Sequence, residues 1–278
     1  FLLGLTATPF RMDNRDLLAL CDSNVAYQIN VLDAITLGWL CPFHYRGVYD
    51  ATDYSKVLFR NGRYSLTGLT KVLNNSTRNA LVLNEYRRSG SQHALGFCTS
   101  ISHSEAMASF FTAHGVASVS LTSRSARAER QEAISRLTRG ELKVIFTVDL
   151  FNEGVDIPCV DLVMLLRPTE SVTIFLQQLG RGLRLHPGKE FLQVIDLVGN
   201  YRGADFKLPT LFGLSEWSQK DITELANKVA KNNVFDMLPR GVQIDIDDKA
   251  IEEIKALSKQ GLAGLMLEEY ARVKTALG

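Results

Sequence analysis

The sequence predicts an α/β domain: a doubly wound parallel sheet covered by helices on both faces, followed by a helical extension. Three observations predict it. Short, almost uninterrupted apolar runs recur along the chain, and helical patterns lie between them. Of the 278 residues, 46% are hydrophobic and 22% charged, the balance of a soluble globular chain.

The runs read as strands are LLGLT (2–6), ALGFCT (94–99), VASVSL (116–121), KVIFT (143–147), DLVMLL (161–166) and FLQVID (191–196). Strands buried on both faces need no polar alternation, so they appear as continuous apolar runs. Between them, Ser102 with Glu105 makes a capping box that opens a helix through about His114. SARAERQEAISRLTRG (125–140) is rich in helix formers and stops at Gly140, and SVTIFLQQLG (171–180) is a third helix. The order from 94 to 196 is strand, helix, strand, helix, strand, strand, helix, strand. Ligands of such sheets sit beyond the carboxyl ends of the strands. That rule marks Thr99, Ser100, Thr122, Thr147 and Arg167 as polar residues of interest.

Upstream, VLDAITLGWLCPF reads as a helix leading to a strand. Residues 1–45 are expected to be the remnant of a preceding lobe plus a crossover, 46–200 the sheet domain, and 201–278 the helical extension. In the extension DITELANKVAKNN and IEEIKALSKQ are amphipathic and GLAGLMLEEYARVKTALG reads as a further helix. It is a candidate surface for a protein partner or for regulation. The chain begins at Phe1, directly on an apolar run, and so reads as a piece of a longer protein.

Net charge is +1, and residues 46–200 carry 18 basic and 14 acidic side chains. That permits a polyanionic partner without demanding one. Cys21, Cys41, Cys98 and Cys159 form no CxxC pair, which argues against a disulfide framework or a zinc site and for buried thiols in a cytoplasmic protein. No apolar run approaches the ~18 residues of a membrane span. The absence of a G-x-S-x-G elbow argues against a serine hydrolase. Trp39 and Trp217 are expected to be buried rather than to stack on bases.

Three clusters carry chemistry. If the helix of FLQQLGRGLRL (175–185) continues to 184, Gln177, Arg181 and Arg184 fall at i, i+4 and i+7 on one stripe. Two guanidinium forks suit a phosphate or carboxylate, or else make salt bridges at a surface helix end. Gly180 and Gly182 remove bulk beside Arg181, allowing close approach of a nucleotide or another surface. TVDLFNEGVDIP (147–158) places Asp149, Glu153 and Asp156 in a short loop around Gly154. The spacing is not that of a calcium loop, and one carboxylate offered to a sugar hydroxyl fits better than a metal. GLTATPFR (4–11) puts the hydroxyls of Thr6 and Thr8 at a strand end, where Pro9 stops the run.

Together, and in this order, the clusters resemble the superfamily 2 helicases, the DEAD/DEAH-box and related ATP-driven nucleic-acid motors. LTATP is similar to the family's third motif, LGFCTSISHSEAMASFF to the fourth, TVDLFNEGVDIP to the fifth, and QQLGRGLR to the sixth, Gln-x-x-Gly-Arg-x-x-Arg, at Gln177, Gly180, Arg181 and Arg184. The resemblance covers about residues 1–200. It implies the second of two RecA-like lobes, with ATP in the cleft between them. By that resemblance Arg181 and Arg184 are arginine fingers reaching the γ-phosphate, and Gln177 places the γ-phosphate or the attacking water. Gly154 and Asp156 meet the nucleotide sugar and the finger arginines. Thr99, Ser100, Thr122, Arg124 and Thr147 grip the nucleic-acid backbone, and Thr6 and Thr8 couple the two sites. The phosphate loop and acidic box are missing from this chain, so ATP and Mg2+ are expected to be held mainly by a first lobe upstream of Phe1, and this chain alone is expected not to hydrolyse ATP. FNEGVDIP and LRPTESVTIFLQQLGRGLRL look closer to the DNA-directed repair and restriction branch than to the RNA-directed one. The alternative is a helicase-like module that has lost catalysis and serves as a nucleic-acid or protein platform.

Overall fold

The structure is a computed structural model, and it describes residues 24–60, 63–148, 157–169, 171–214 and 216–259. Thr6, Thr8, Gly154 and Asp156 lie outside these residues, as do Cys21 and the helix expected at the C-terminal end. After α1 (Val31–Thr36), capped by the Asn30 side chain, the chain enters β1 (Phe43–Tyr49). A short hairpin of β2 (Phe59–Arg60) and β3 (Arg63–Tyr64) follows, then α2 (Leu66–Leu73) and α3 (Ser76–Ser89). The alternating part comes next: β4 (Ala94–Phe97), α4 (Ile101–Ala113), β5 (Ser118–Leu121), α5 (Arg127–Thr138), β6 (Val144–Thr147), β7 (Leu162–Leu165), α6 (Val172–Gly182) and β8 (Leu192–Val198). It ends with α7 (Lys207–Leu211), α8 (Gln219–Ala230), β9 (Gln243–Ile246) and helical residues 248–259.

Seven strands form one sheet in the order β5-β6-β4-β7-β8-β1-β9, and every neighbouring pair is parallel. The predicted doubly wound sheet is therefore present. β4, β6 and β7 are buried at every position, as continuous apolar runs require. β9 alternates exposed and buried residues at the sheet edge. Successive side chains of β4 point to opposite faces. Leu95 and Phe97 join the core that α2, α5, α6, α7 and α8 cover, and Ala94 joins the core covered by α3 and α4.

Segments on either side of residue 200 meet in one sheet and one core. β9 hydrogen-bonds to β1 in the same sheet, with His44 opposite Gln243 and Gly47 opposite Ile246. Ile222, Leu225 and Val229 of α8 enter the same core as Val194 and Val198 of β8. Residues 201–259 thus contribute a strand to the sheet and helices to its core. The join is also polar. Lys207 of α7 and Asp196 of β8 are both buried, and the Lys207 Nζ donates to both carboxylate oxygens at 2.7 Å. Arg46 of β1 pairs with Asp245, Asp247 and Glu85, pinning the edge strand to α3. Trp39 is 56% exposed, against the expectation that it is buried. Cys41, Cys98 and Cys159 are buried free thiols, as expected. Among the described residues no helix is long and apolar enough to cross a membrane.

Candidate functional site

The predicted residues fall at two ends of the sheet. Strand register sets Thr147 opposite Phe97 on one side and opposite Leu121 on the other. Thr99, Thr147 and Thr122 therefore form a row across the carboxyl ends of β4, β6 and β5, where the sheet rule places ligands. All three are buried. Thr122 Oγ1 accepts the backbone N–H of Arg124 at 3.2 Å. Thr99 Oγ1 and Thr147 Oγ1 are buried without a hydrogen-bond partner among the described residues, an arrangement that costs about 1–3 kcal/mol per group. The accessible members of the row are the exposed Arg124 and the half-buried Ser100.

Ser100 also has a local role that the sequence reading gave to Ser102. It is the N-cap of α4, its Oγ accepting the His103 N–H, and Thr70 of α2 donates to the same Oγ at 2.8 Å. Two hydroxyl neighbours place the cap two residues earlier than the capping-box pattern indicated. One turn on, His103 is fully buried and its Nδ1 accepts the Thr99 N–H at 3.3 Å. Burial, reinforced by the nearby Arg78 guanidinium, pushes His103 down to about 3. Its folded pKa lies below its unfolded value of about 6.5, so below that pH only the unfolded chain takes up this proton. Stability from this group is complete above about pH 6.5 and falls by about 1.4 kcal/mol per pH unit below it. In urea melts at pH 7, 6 and 5, His103→Asn is expected to be less stable at pH 7 yet to show a shallower fall. An unchanged slope would contradict the buried neutral imidazole.

The second end is the arginine-bearing one. α6 starts at Ser171, near the carboxyl end of β7, and runs back along the sheet. Phe175, Gln178, Leu179 and Gly182 form its buried stripe at i, i+3, i+4 and i+7. Gln177, Gly180 and Arg181 lie on the half-buried flank. The helix ends at Gly182, so Arg184 lies two residues past the end rather than on a continuous stripe with Gln177 and Arg181. The two glycines have separate reasons. A Cβ on Gly182 would sit 2.3 Å from Leu192 Cδ1, so glycine there lets α6 close onto the first residue of β8. A Cβ on Gly180 would meet no described atom within 4 Å, which leaves room beside Arg181. The contact with Leu192 also places this end at the amino ends of the strands. The arginines are thus roughly 15 Å, the length of an 11-residue helix, from the threonine row.

The helix end is fixed from outside. Leu183 O accepts the Cys41 N–H at 2.9 Å, and Gly182 O accepts the Cys41 thiol at 3.6 Å. Lys189 donates to Gly182 O at 2.9 Å, to Pro158 O at 2.9 Å and to Val160 O at 3.1 Å. Pro158 closes the TVDLFNEGVDIP segment, so Lys189 joins the exit of that loop to the end of α6. Sequence reasoning missed this lysine. Its signal was His186-Pro187-Gly188-Lys189: the Lys189 N–H donates to His186 O at 3.0 Å and Gly188 has φ +82°, the type II turn that Pro-Gly favours. Arg181 and Arg184 are half-buried, and each is engaged in at least one polar or electrostatic interaction.

A family model described as the helicase conserved C-terminal domain matches residues 76–186, the segment that runs from α3 through both ends just described. The wider fold agrees. The chain is 25% identical to a fragment structure described as an HsdR subunit of a type I restriction enzyme from Vibrio vulnificus, with a TM-score of 0.55 over 69% of this chain and 38% of that one. A yeast DEAD-box splicing factor, 13% identical, shares the fold with a TM-score of 0.50 over 85% of this chain and 45% of that one. The fold is therefore RecA-like, as in those two structures. Among curated proteins the chain is 27% identical over 265 residues to a Saccharomyces cerevisiae protein named as an ATP-dependent helicase, IRC3, covering 94% of this chain and 35% of that protein. It is 31% identical over 132 residues to UvrABC system protein B of Methanosphaera stadtmanae, covering 45% of this chain and 18% of that protein. The chain spans 35%, 43% and 40% of the length of three of the curated relatives that it matches.

Proposed function

We propose that this chain is the second motor lobe of an ATP-dependent DNA helicase or translocase, lending Arg181 and Arg184 to ATP held on a first lobe. The observation that carries the reading is the end of α6. Lys189 ties the last carbonyl of α6 to Pro158 O, and a Cβ on Gly180, beside Arg181, would meet no described atom within 4 Å. Guanidinium forks at a fixed, half-buried position suit a triphosphate whose charge shifts during transfer. With ATP and Mg2+ bound by the first lobe, Gln177 orders the terminal phosphate or the water, and Gly154 and Asp156 meet the sugar and the arginines. The nucleotide itself supplies the phosphoryl group and its leaving group. This lobe supplies positive charge and orientation.

At the other end, Ser100 and Arg124 take the nucleic-acid backbone, with Thr99, Thr122 and Thr147 shaping the ledge beneath them. Such contacts position a strand without reading its sequence. The likeness to a subunit of a type I restriction enzyme supports DNA over RNA. The 278-residue chain alone is expected to show no ATP turnover, with or without DNA. Steady-state assays of the full-length protein with single-stranded DNA, duplex DNA and RNA test the reading. DNA-stimulated hydrolysis is expected, whereas a full-length protein that binds DNA without turnover indicates a binding module. Arg124→Ala is expected to weaken binding about equally across sequences. It should also reduce the slope of log K against log salt by about 0.7–0.9, one phosphate contact. An unchanged slope removes Arg124 from the interface.

A further inference from the structure

The last four carbonyls of a helix have no partner within it, and a cation at that end also meets the negative pole of the helix. In α6 the final carbonyl, Gly182 O, is taken by an ammonium seven residues on, folded back by the Pro187-Gly188 turn. The same ammonium holds Pro158 O and Val160 O. Its three bonds converge from two segments that are distant in sequence, and Lys189 is half-buried between them. Burial also lowers the ammonium's pKa from its ordinary value.

We propose that Lys189 is a positioning residue for the nucleotide-facing arginines, locking the end of α6 to Pro158 and Val160 so that Arg181 and Arg184 are presented to the nucleotide in a fixed position. This rests on the function proposed above. Lys189 touches no nucleotide; its three bonds are all spent on backbone carbonyls. A lysine suits the task because a tetrahedral ammonium can serve three convergent acceptors, whereas the planar fork of arginine spreads its donors in one plane. Cys41 separately holds Leu183 O through its N–H and Gly182 O through its thiol, so loss of Lys189 frees Pro158 and Val160 without releasing the helix end altogether.

The test is steady-state DNA-stimulated ATP hydrolysis by the full-length protein carrying Lys189→Met, Lys189→Arg or Arg184→Ala, together with thermal melting and amide hydrogen exchange over residues 181–190. Lys189→Met is expected to melt within a few degrees of wild type. It should exchange faster over 183–189 and lose about 10–100-fold in kcat, with the nucleotide KM within threefold; a misplacement of about 1 Å at the reacting groups costs that much. Lys189→Arg is expected to fall between the two. If Lys189→Met does not fold, Lys189→Arg decides alone: a kcat reduced at least fivefold at unchanged KM supports the proposal. In whichever variant is folded, a wild-type kcat, or a raised KM at wild-type kcat, overturns it. Arg184→Ala separates the two claims. If it retains wild-type turnover, the function proposed above fails; if it is inactive while the Lys189 variants are not, only the positioning role fails.

Discussion

Replacing Arg184 with alanine is expected to lower DNA-stimulated ATP turnover of the full-length protein by about 10³-fold, with nucleotide affinity changed only a few-fold. An arginine that meets the γ-phosphate mainly as charge develops contributes to the transition state rather than to ground-state binding, so kcat falls and KM stays. Arg184 is the cleaner of the two arginines to remove. It lies beyond the end of α6, whereas Arg181 is within the helix and its Nε is buried, so alanine there also costs packing. Lysine at 184 is not expected to restore activity, because a point charge does not reproduce the bidentate fork. Steady-state kinetics on refolding-competent protein is the check, and turnover within threefold of wild type contradicts the assignment.

The largest expected effect on stability lies between β8 and α7. Lys207 Nζ is held by both oxygens of Asp196 and by Tyr201 OH at 2.6 Å, and Tyr45 OH donates to Asp196 Oδ2 at 2.6 Å. Burial pulls the Lys207 ammonium below its ordinary value while Asp196 opposes the shift. Removing one partner strands the other charge in the core. Lys207→Met or Asp196→Leu alone is therefore expected to cost about 3–5 kcal/mol. For a domain of this size that lowers the melting temperature by roughly 6–20 °C. The double variant, which leaves neither of these two charges buried without its partner, is expected to recover a large part of the loss. Single variants melting within 2 °C of wild type would show that the pair is not what binds residues 201–259 to the sheet.

The parts of the fold readable in the sequence were those set by local pattern. β4, β6 and β7 are continuous apolar runs because both faces are covered, and α6 shows its buried stripe in the spacing of Phe175, Gln178, Leu179 and Gly182. What escaped was set by partners far away in the chain. β9 is four residues beside an acidic cluster, and only its pairing with β1 makes it part of the sheet. Asp196 stands in an apolar strand because Lys207 and Tyr45 reach it. At the site, the residue types of QQLGRGLR pointed to phosphate. The end of α6 at Gly182, and hence the placing of Arg184, follows from Leu192, Cys41 and Lys189, which no spacing within the motif encodes. The cap at Ser100 depends likewise on Thr70, thirty residues earlier.

The central claim is that the end of α6 faces a triphosphate carried by another lobe. The most direct measurement is a structure of the full-length protein with DNA, Mg2+, ADP and beryllium fluoride. The account predicts a guanidinium nitrogen of Arg181 or Arg184 within about 3 Å of the fluoride that stands in for the γ-phosphate, the distance of a charge-assisted hydrogen bond. Both guanidinium groups lying farther than about 6 Å from it, with nucleotide and DNA fully bound, would contradict the account.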